Sequence, residues 1–145
     1  MPELRFEDLS SAIAKGLAPV YLLAGEEPLL IEEALDALRA GARRSGYTER
    51  DVLHADAGFD WNRLAAASDN LSLFSDRRLL ELRLPGGKPG RDGAAVLKAR
   101  AEASPDDTLL VVITGRLEAA QRKSAWVQAF ARAGVMSYVW PLRRN

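Results

Sequence analysis

The 145 residues contain no cysteine, which excludes disulfides, thiolate nucleophiles and zinc-thiolate sites. There is one histidine, His54, too few for a His-rich metal site or a Ser-His-Asp arrangement with a spare base. Excess charge is also missing: 20 basic and 20 acidic residues leave a formal net charge of 0. A dedicated nucleic-acid sleeve needs a basic excess, because its affinity comes from releasing counterions from phosphates. No apolar run approaches the roughly 18 residues of a membrane span. The opening MPELRFEDLSSAIAKG carries acids and lacks the apolar core of a secretion signal, so a cytoplasmic address is expected. What is present is ordinary for a soluble globular domain, with 48% hydrophobic and 28% charged residues. The length suits one domain by the usual measure of roughly 100–200 residues.

The neutral total hides an asymmetry. Residues 1–72 hold 13 acids and 7 bases, a balance of −6, whereas residues 73–145 hold 7 acids and 13 bases, a balance of +6. Such a split speaks about fields and partners, not about fold.

Apolar runs of strand length alternate with segments of helical period. The run PVYLLAG (19–25) reads as a strand covered on both faces. In the following helix Leu30, Ile31, Ala34, Leu35 and Leu38 share one side. Pro28 suits its first turn, Glu26 and Glu27 suit the positive end of its dipole, and Arg43, Arg44 and Gly46 suit its stop. Strands are also expected at DVLHAD (51–56), RRLLELRL (77–84), TLLVVITG (108–115) and VMSYVW (135–140). Between them fall helices beginning after Asp60, after the breaker cluster PGGKPGRDG (85–93), and over LEAAQRKSAWVQAFARAG up to Gly134. An extra helix, FEDLSSAIAKG, precedes the first strand. Five strands alternating with helices predict an α/β fold: a mostly parallel five-stranded sheet with helices on both faces.

In such a fold a nucleotide phosphate would sit on a Gly-rich turn after the first strand. Here that turn is Ala24-Gly25-Glu26-Glu27-Pro28. Two carboxylates occupy the anion position, Pro28 removes a backbone donor, and neither phosphate-loop pattern is present. TLLVVITG ends in Thr114-Gly115 without the acidic pair that holds magnesium in many ATPases. The loop Gly86-Gly87-Lys88-Pro89-Gly90-Arg91 lacks the Ser or Thr after Lys88, and Leu82 stands where the first glycine is needed. It is expected to be a mobile surface connection. His54 reads as a structural histidine within a strand. Trp61, Trp126 and Trp140 read as core or contact residues. Arg77-Arg78 and Arg143-Arg144 are too short and scattered to define a groove track. No cofactor or metal is expected.

One cluster stands out. In Asn70-Leu71-Ser72-Leu73-Phe74-Ser75-Asp76, three large apolar side chains fall within four residues at the end of a predicted helix. Leu71 and Phe74 lie one turn apart and can point the same way, with Leu73 beside them. By composition alone the cluster fits core packing and partner binding equally, since exposed apolar clusters mark partner surfaces.

Read together, PVYLLAGEEPLLIEEA, DWNRL, SLFSDRRLLELRL, KPGRDG, LLVVITGRLE and QRKSAW resemble the delta subunits of the bacterial DNA polymerase III clamp loader, over about Val20 to Trp140. That resemblance implies the first of three domains, an AAA+-like fold without a functional nucleotide site, spanning residues 1–145. The lid and C-terminal collar domains of the family are then absent from this chain, with a boundary near Asn145. It implies a non-catalytic part of the holoenzyme, a DNA-directed DNA polymerase, acting in DNA replication at the bacterial replisome. Its task would be to bind the sliding clamp, the beta subunit, and help open the ring for loading onto primed DNA. The family's clamp-binding stretch matches Leu71, Leu73 and Phe74, with Asn70 and Ser72 in support. Asn70 replaces the glutamine of the general bacterial clamp-binding pentapeptide, and its shorter amide reaches one hydrogen bond less well. Further partners implied for the full-length protein are the gamma/tau and delta-prime subunits, with DNA met indirectly through the assembly and no membrane. Two other readings compete: a degenerate nucleotide- or ligand-binding α/β enzyme domain, and direct DNA binding through the basic second half.

Overall fold

The computed structural model describes residues 3–55, 59–62, 64, 77–103 and 108–139. The elements are β1 (Glu3–Arg5), α1 (Phe6–Lys15), β2 (Val20–Gly25), α2 (Pro28–Arg44), β3 (Tyr47–His54), β4 (Arg77–Leu84), α3 (Gly90–Glu102), β5 (Thr108–Thr114), α4 (Ala119–Arg122), α5 (Ala125–Ala133) and β6 (Val135–Val139). Trp61, Asn62 and Leu64 are also helical. The strands form one sheet in the order β1-β6-β2-β5-β4-β3, parallel at every pairing. All five predicted strands are present, and the short β1 adds a sixth at one edge.

Two apolar layers cover the sheet, and strand periodicity sorts residues between them. Tyr21, Leu23, Leu79, Leu109, Val111 and Ile113 face α1 and α2, meeting Leu9, Ile13, Ile31, Leu35 and Leu38. Leu22, Leu80, Leu82, Leu110, Val112 and Tyr138 face the other way, onto Leu97 of α3 and Trp126, Val127 and Phe130 of α5. Burial at Ile31, Ala34, Leu35, Leu38 and Ala42 is the stripe expected of α2, and Pro28 opens its first turn. Asp60 caps as predicted, its Oδ1 accepting from the Asn62 N–H at 3.0 Å.

Three features depart from the sequence reading. The segment expected as one helix up to Gly134 is two, because Ser124 is extended (φ −66, ψ 156) and its hydroxyl donates to the Gln121 carbonyl at 2.6 Å. Strand β3 begins at Tyr47, four residues earlier than expected, because register with Arg77 extends its pairing to β4. His54, read from sequence as a structural histidine within a strand, instead ends that edge strand beside Arg83 and is exposed.

Ser137 in β6 is fully buried, and its hydroxyl finds no hydrogen-bond partner among the described residues. A buried unmatched hydroxyl costs about 1–3 kcal/mol. Ser137→Ala is therefore expected to stabilise the fold by about 1 kcal/mol, seen as a higher denaturant midpoint with unchanged slope. A lower midpoint would mean that an ordered water satisfies the hydroxyl.

Candidate functional site

The predicted clamp-binding residues Asn70, Leu71, Ser72, Leu73 and Phe74 lie outside the described residues, as do Trp140, Arg143 and Arg144. What the structure fixes is the flanks of that segment. Trp61 packs so closely on Gly93 of α3 that a methyl group there would overlap the indole ring, and its edge meets Phe59 at 5.0 Å. Leu64 is completely buried. Its carbonyl accepts a 3.4 Å hydrogen bond from Arg100 Nη1, in the last turn of α3. Helix α3 descends from the C-terminal ends of the strands to their N-terminal ends, so Leu64 is anchored near the N-terminal edge of the sheet. Arg77 opens β4 at that same edge. Its guanidinium lies 5.3 Å from the centre of the Tyr47 ring and donates to the Ser45 carbonyl at 2.9 Å. Both flanks of 65–76 thus converge on one edge.

The opposite, C-terminal edge is where a nucleotide would bind in such a sheet. There Glu27 caps α2 through its backbone, its carbonyl accepting from the Ile31 N–H at 3.0 Å, with no side-chain cap and Pro28 next. Glu26 is exposed and Glu27 half-buried, so the carboxylates face an incoming phosphate where a nucleotide-binding protein offers backbone N–H groups. Titration calorimetry with ATP is expected to give no heat beyond dilution, whereas saturable heat would favour the ligand-binding enzyme reading.

The Gly-rich loop, expected as a mobile surface connection, is hydrogen-bonded at its start. The Gly115 N–H donates to the Pro85 carbonyl at 3.0 Å, and Gln121 Nε2 donates to the carbonyls of Gly86 and Gly87 at 3.0 and 3.1 Å. Gly87 sits at φ +65, where an added Cβ would meet Leu117, so both conformation and space require glycine there. Between α4, α5 and β6 is a shallow pocket of about 350 Å³ lined by Arg122, Lys123, Gln128, Met136 and Tyr138. The Arg122 guanidinium lies 5.4 Å from the Tyr138 ring centre.

The α2 face of β4 carries a cluster that the sequence reading passed over. Glu81 is completely buried, yet its carboxylate accepts from Arg39 Nε at 2.7 Å and Nη2 at 2.9 Å, and from Arg50 Nε at 2.8 Å. Burial works to raise its pKa, but the hydrogen bonds and charges of Arg39 and Arg50 outweigh that and hold it below the ordinary value. The available signal was a lone acid inside the apolar run LLELRL.

Residues 21–139 match the family described as DNA polymerase III, delta subunit. The chain belongs to that family. Among curated relatives it is 35% identical over 129 residues to the DNA polymerase III subunit delta of Escherichia coli, covering 89% of this chain and 38% of that one. It is 30% identical over 124 residues to the subunit delta of Haemophilus influenzae, covering 83% and 35%. The chain thus spans little more than a third of the length of these relatives. In fold it resembles the DNA clamp loader delta protein of Bacillus subtilis, with a TM-score of 0.74 and 16% identity over 94% of this chain and 43% of that one. A DNA polymerase III gamma subunit-related protein of Thermotoga maritima aligns with a TM-score of 0.57 and 16% identity, over 92% and 45%. Among the described residues no helix is long and apolar enough to cross a membrane.

Proposed function

We propose that this chain is a clamp-binding module: it binds the DNA polymerase III sliding clamp, the beta subunit, and helps open the ring for loading onto primed DNA, without catalysing a reaction itself. The observation that carries this is the match to the delta family over residues 21–139. The contact residues are Leu71, Leu73 and Phe74, with Asn70 and Ser72 in support. In sequence they fall between Leu64 and Arg77, the described residues that flank them. The acidic turn supports a role without nucleotide chemistry. Opening is mechanical work by differential binding: the module favours an open ring only if it binds that form more tightly than the closed one. Gamma/tau and delta-prime subunits are proposed as further partners of the full-length protein. Capture of the chain by the immobilised cognate clamp is the direct test. Failure of the folded chain to be retained overturns the reading.

A further inference from the structure

Arg100 is 6% exposed, a cation on the inner face of α3 beside Leu97 and Ala101. Both of those residues belong, with Leu64, to the apolar layer on that side of the sheet. Taking a guanidinium out of water is unfavourable unless its N–H groups are used. A methionine would fill a similar volume without that cost, so what arginine adds here is its donors, and Nη1 donates to the Leu64 carbonyl at 3.4 Å. About two turns earlier on α3, Gly93 is buried, and a Cβ there would overlap the Trp61 indole. Glycine within a helix is less favourable than alanine, so its contribution is room for the ring. Helix α3 thus grips the chain at Trp61 and again at Leu64, the last described residue before 65–76.

We propose that Arg100 and Gly93 are positioning residues for the clamp contact: by holding Leu64 and Trp61 on α3, they fix the point from which the chain enters 65–76. This rests on the reading that Leu71, Leu73 and Phe74 touch the clamp. Arg100 and Gly93 are themselves buried, so their effect on the clamp passes through the residues they hold. At the far end of the segment Arg77 is tied to the Ser45 carbonyl at 2.9 Å. Fixing both ends narrows the arrangements that the intervening residues sample, which lowers the ordering cost of binding. Apparent Kd rises as the inverse of the binding-competent fraction. A variant that keeps this docking in about one molecule in ten therefore binds about tenfold more weakly.

The test measures affinity for the immobilised cognate clamp, referred to the folded fraction, together with amide hydrogen exchange. Arg100→Met keeps the bulk of the side chain and removes its donors, and Arg100→Lys restores a donor. Gly93→Ala displaces the indole and leaves the Arg100 charge untouched. Arg100→Met and Gly93→Ala are each expected to weaken capture about tenfold, and Arg100→Lys to recover part of the loss. Exchange should rise in peptides spanning Phe59 to Leu64 while β2 and β5 keep their protection. Lys98→Met, which removes a cation paired with Glu102 at 3.5 Å on the same helix, is expected to leave capture unchanged. A role in packing alone predicts a lower denaturant midpoint, faster exchange throughout and parent-like affinity of the folded fraction. That result overturns the inference, as does an equal loss in Lys98→Met. Should Arg100→Met fail to fold, Gly93→Ala decides: weakened capture with local exchange supports the inference, and parent-like capture overturns it. Capture that depends on Leu73 and Phe74 but ignores both positioning variants keeps the contact reading and removes this one. A parent chain that is not captured, or capture that survives Leu73→Ala/Phe74→Ala, removes the contact reading and this inference with it.

Discussion

Leu73→Ala combined with Phe74→Ala is expected to abolish capture by the cognate sliding clamp while leaving the circular dichroism spectrum and the denaturant midpoint of the chain unchanged. Burying a Leu or Phe side chain is worth roughly 1.5–3 kcal/mol, and a micromolar complex amounts to about 8 kcal/mol. If Leu71, Leu73 and Phe74 are the anchors, together they would supply the larger part of such an affinity before ordering costs. Truncating two of three anchors should weaken binding by about three orders of magnitude, as at interfaces where a few residues dominate. The competing reading of the same residues, core packing, predicts the reverse pair of outcomes. Each truncation of a core Leu or Phe costs about 2–5 kcal/mol of stability, so the double variant would unfold or lose much of its midpoint. Measuring stability alongside capture separates the two. Retained binding with a native spectrum would remove these residues from the site and leave family membership untouched.

How much the sequence discloses depends on whether a feature is written locally. Strands β2 and β5 are legible because VYLLAG and TLLVVIT are buried at every position, with no charged residue to blur the run. Helix α2 is legible because its apolar stripe, Pro28 and the terminal Arg43-Arg44 agree. The break at Ser124 is not legible. It depends on Gln121, whose Oε1 accepts from the Glu118 N–H at 2.7 Å while its Nε2 reaches Gly86 and Gly87, 35 and 34 residues away in the chain. A helical period continues through QRKSAW whether or not the Gln121 side chain is drawn elsewhere. The same long-range bonds turn a loop that is all glycine, proline and charge by composition into a fixed platform.

The opposed charges of the two halves acquire a meaning only in three dimensions. Acids of the first half meet bases of the second across the sheet: Glu49 and Asp51 of β3 pair with Arg78 at 3.2 and 3.3 Å, and Glu32 of α2 meets Arg83 at 3.7 Å. Much of the split is thus internal complementarity between β3, α2 and β4. The exposed bases of the second half include Arg77, Lys88, Arg91, Arg116, Lys123 and Arg132, spread over several elements. Exposed pairs like these contribute little individually.

Glu81→Gln is expected to cost about 2–4 kcal/mol of stability at neutral pH and to remove the acid-side fall in stability that the parent shows. The amide keeps the shape of the side chain but withdraws the charge that Arg39 and Arg50 surround. Breaking a buried pair by neutralising one partner costs about 3–5 kcal/mol. Arg39 is 18% exposed and Arg50 46%, so both retain some access to water, which reduces the penalty. The pH dependence follows from linkage. The folded-state pKa of Glu81 lies below its ordinary value of 4.5, so the unfolded chain binds the proton more readily. The stabilisation is therefore complete above the ordinary value and is lost as pH falls through the depressed one. Denaturant midpoints measured from neutral pH down into that range should fall for the parent and run flatter for Glu81→Gln, the two curves converging in acid. Parallel curves would show that the carboxylate titrates alike in the folded and unfolded chain, and that Arg39 and Arg50 cover β4 by the packing of their stems instead of holding a charge in place.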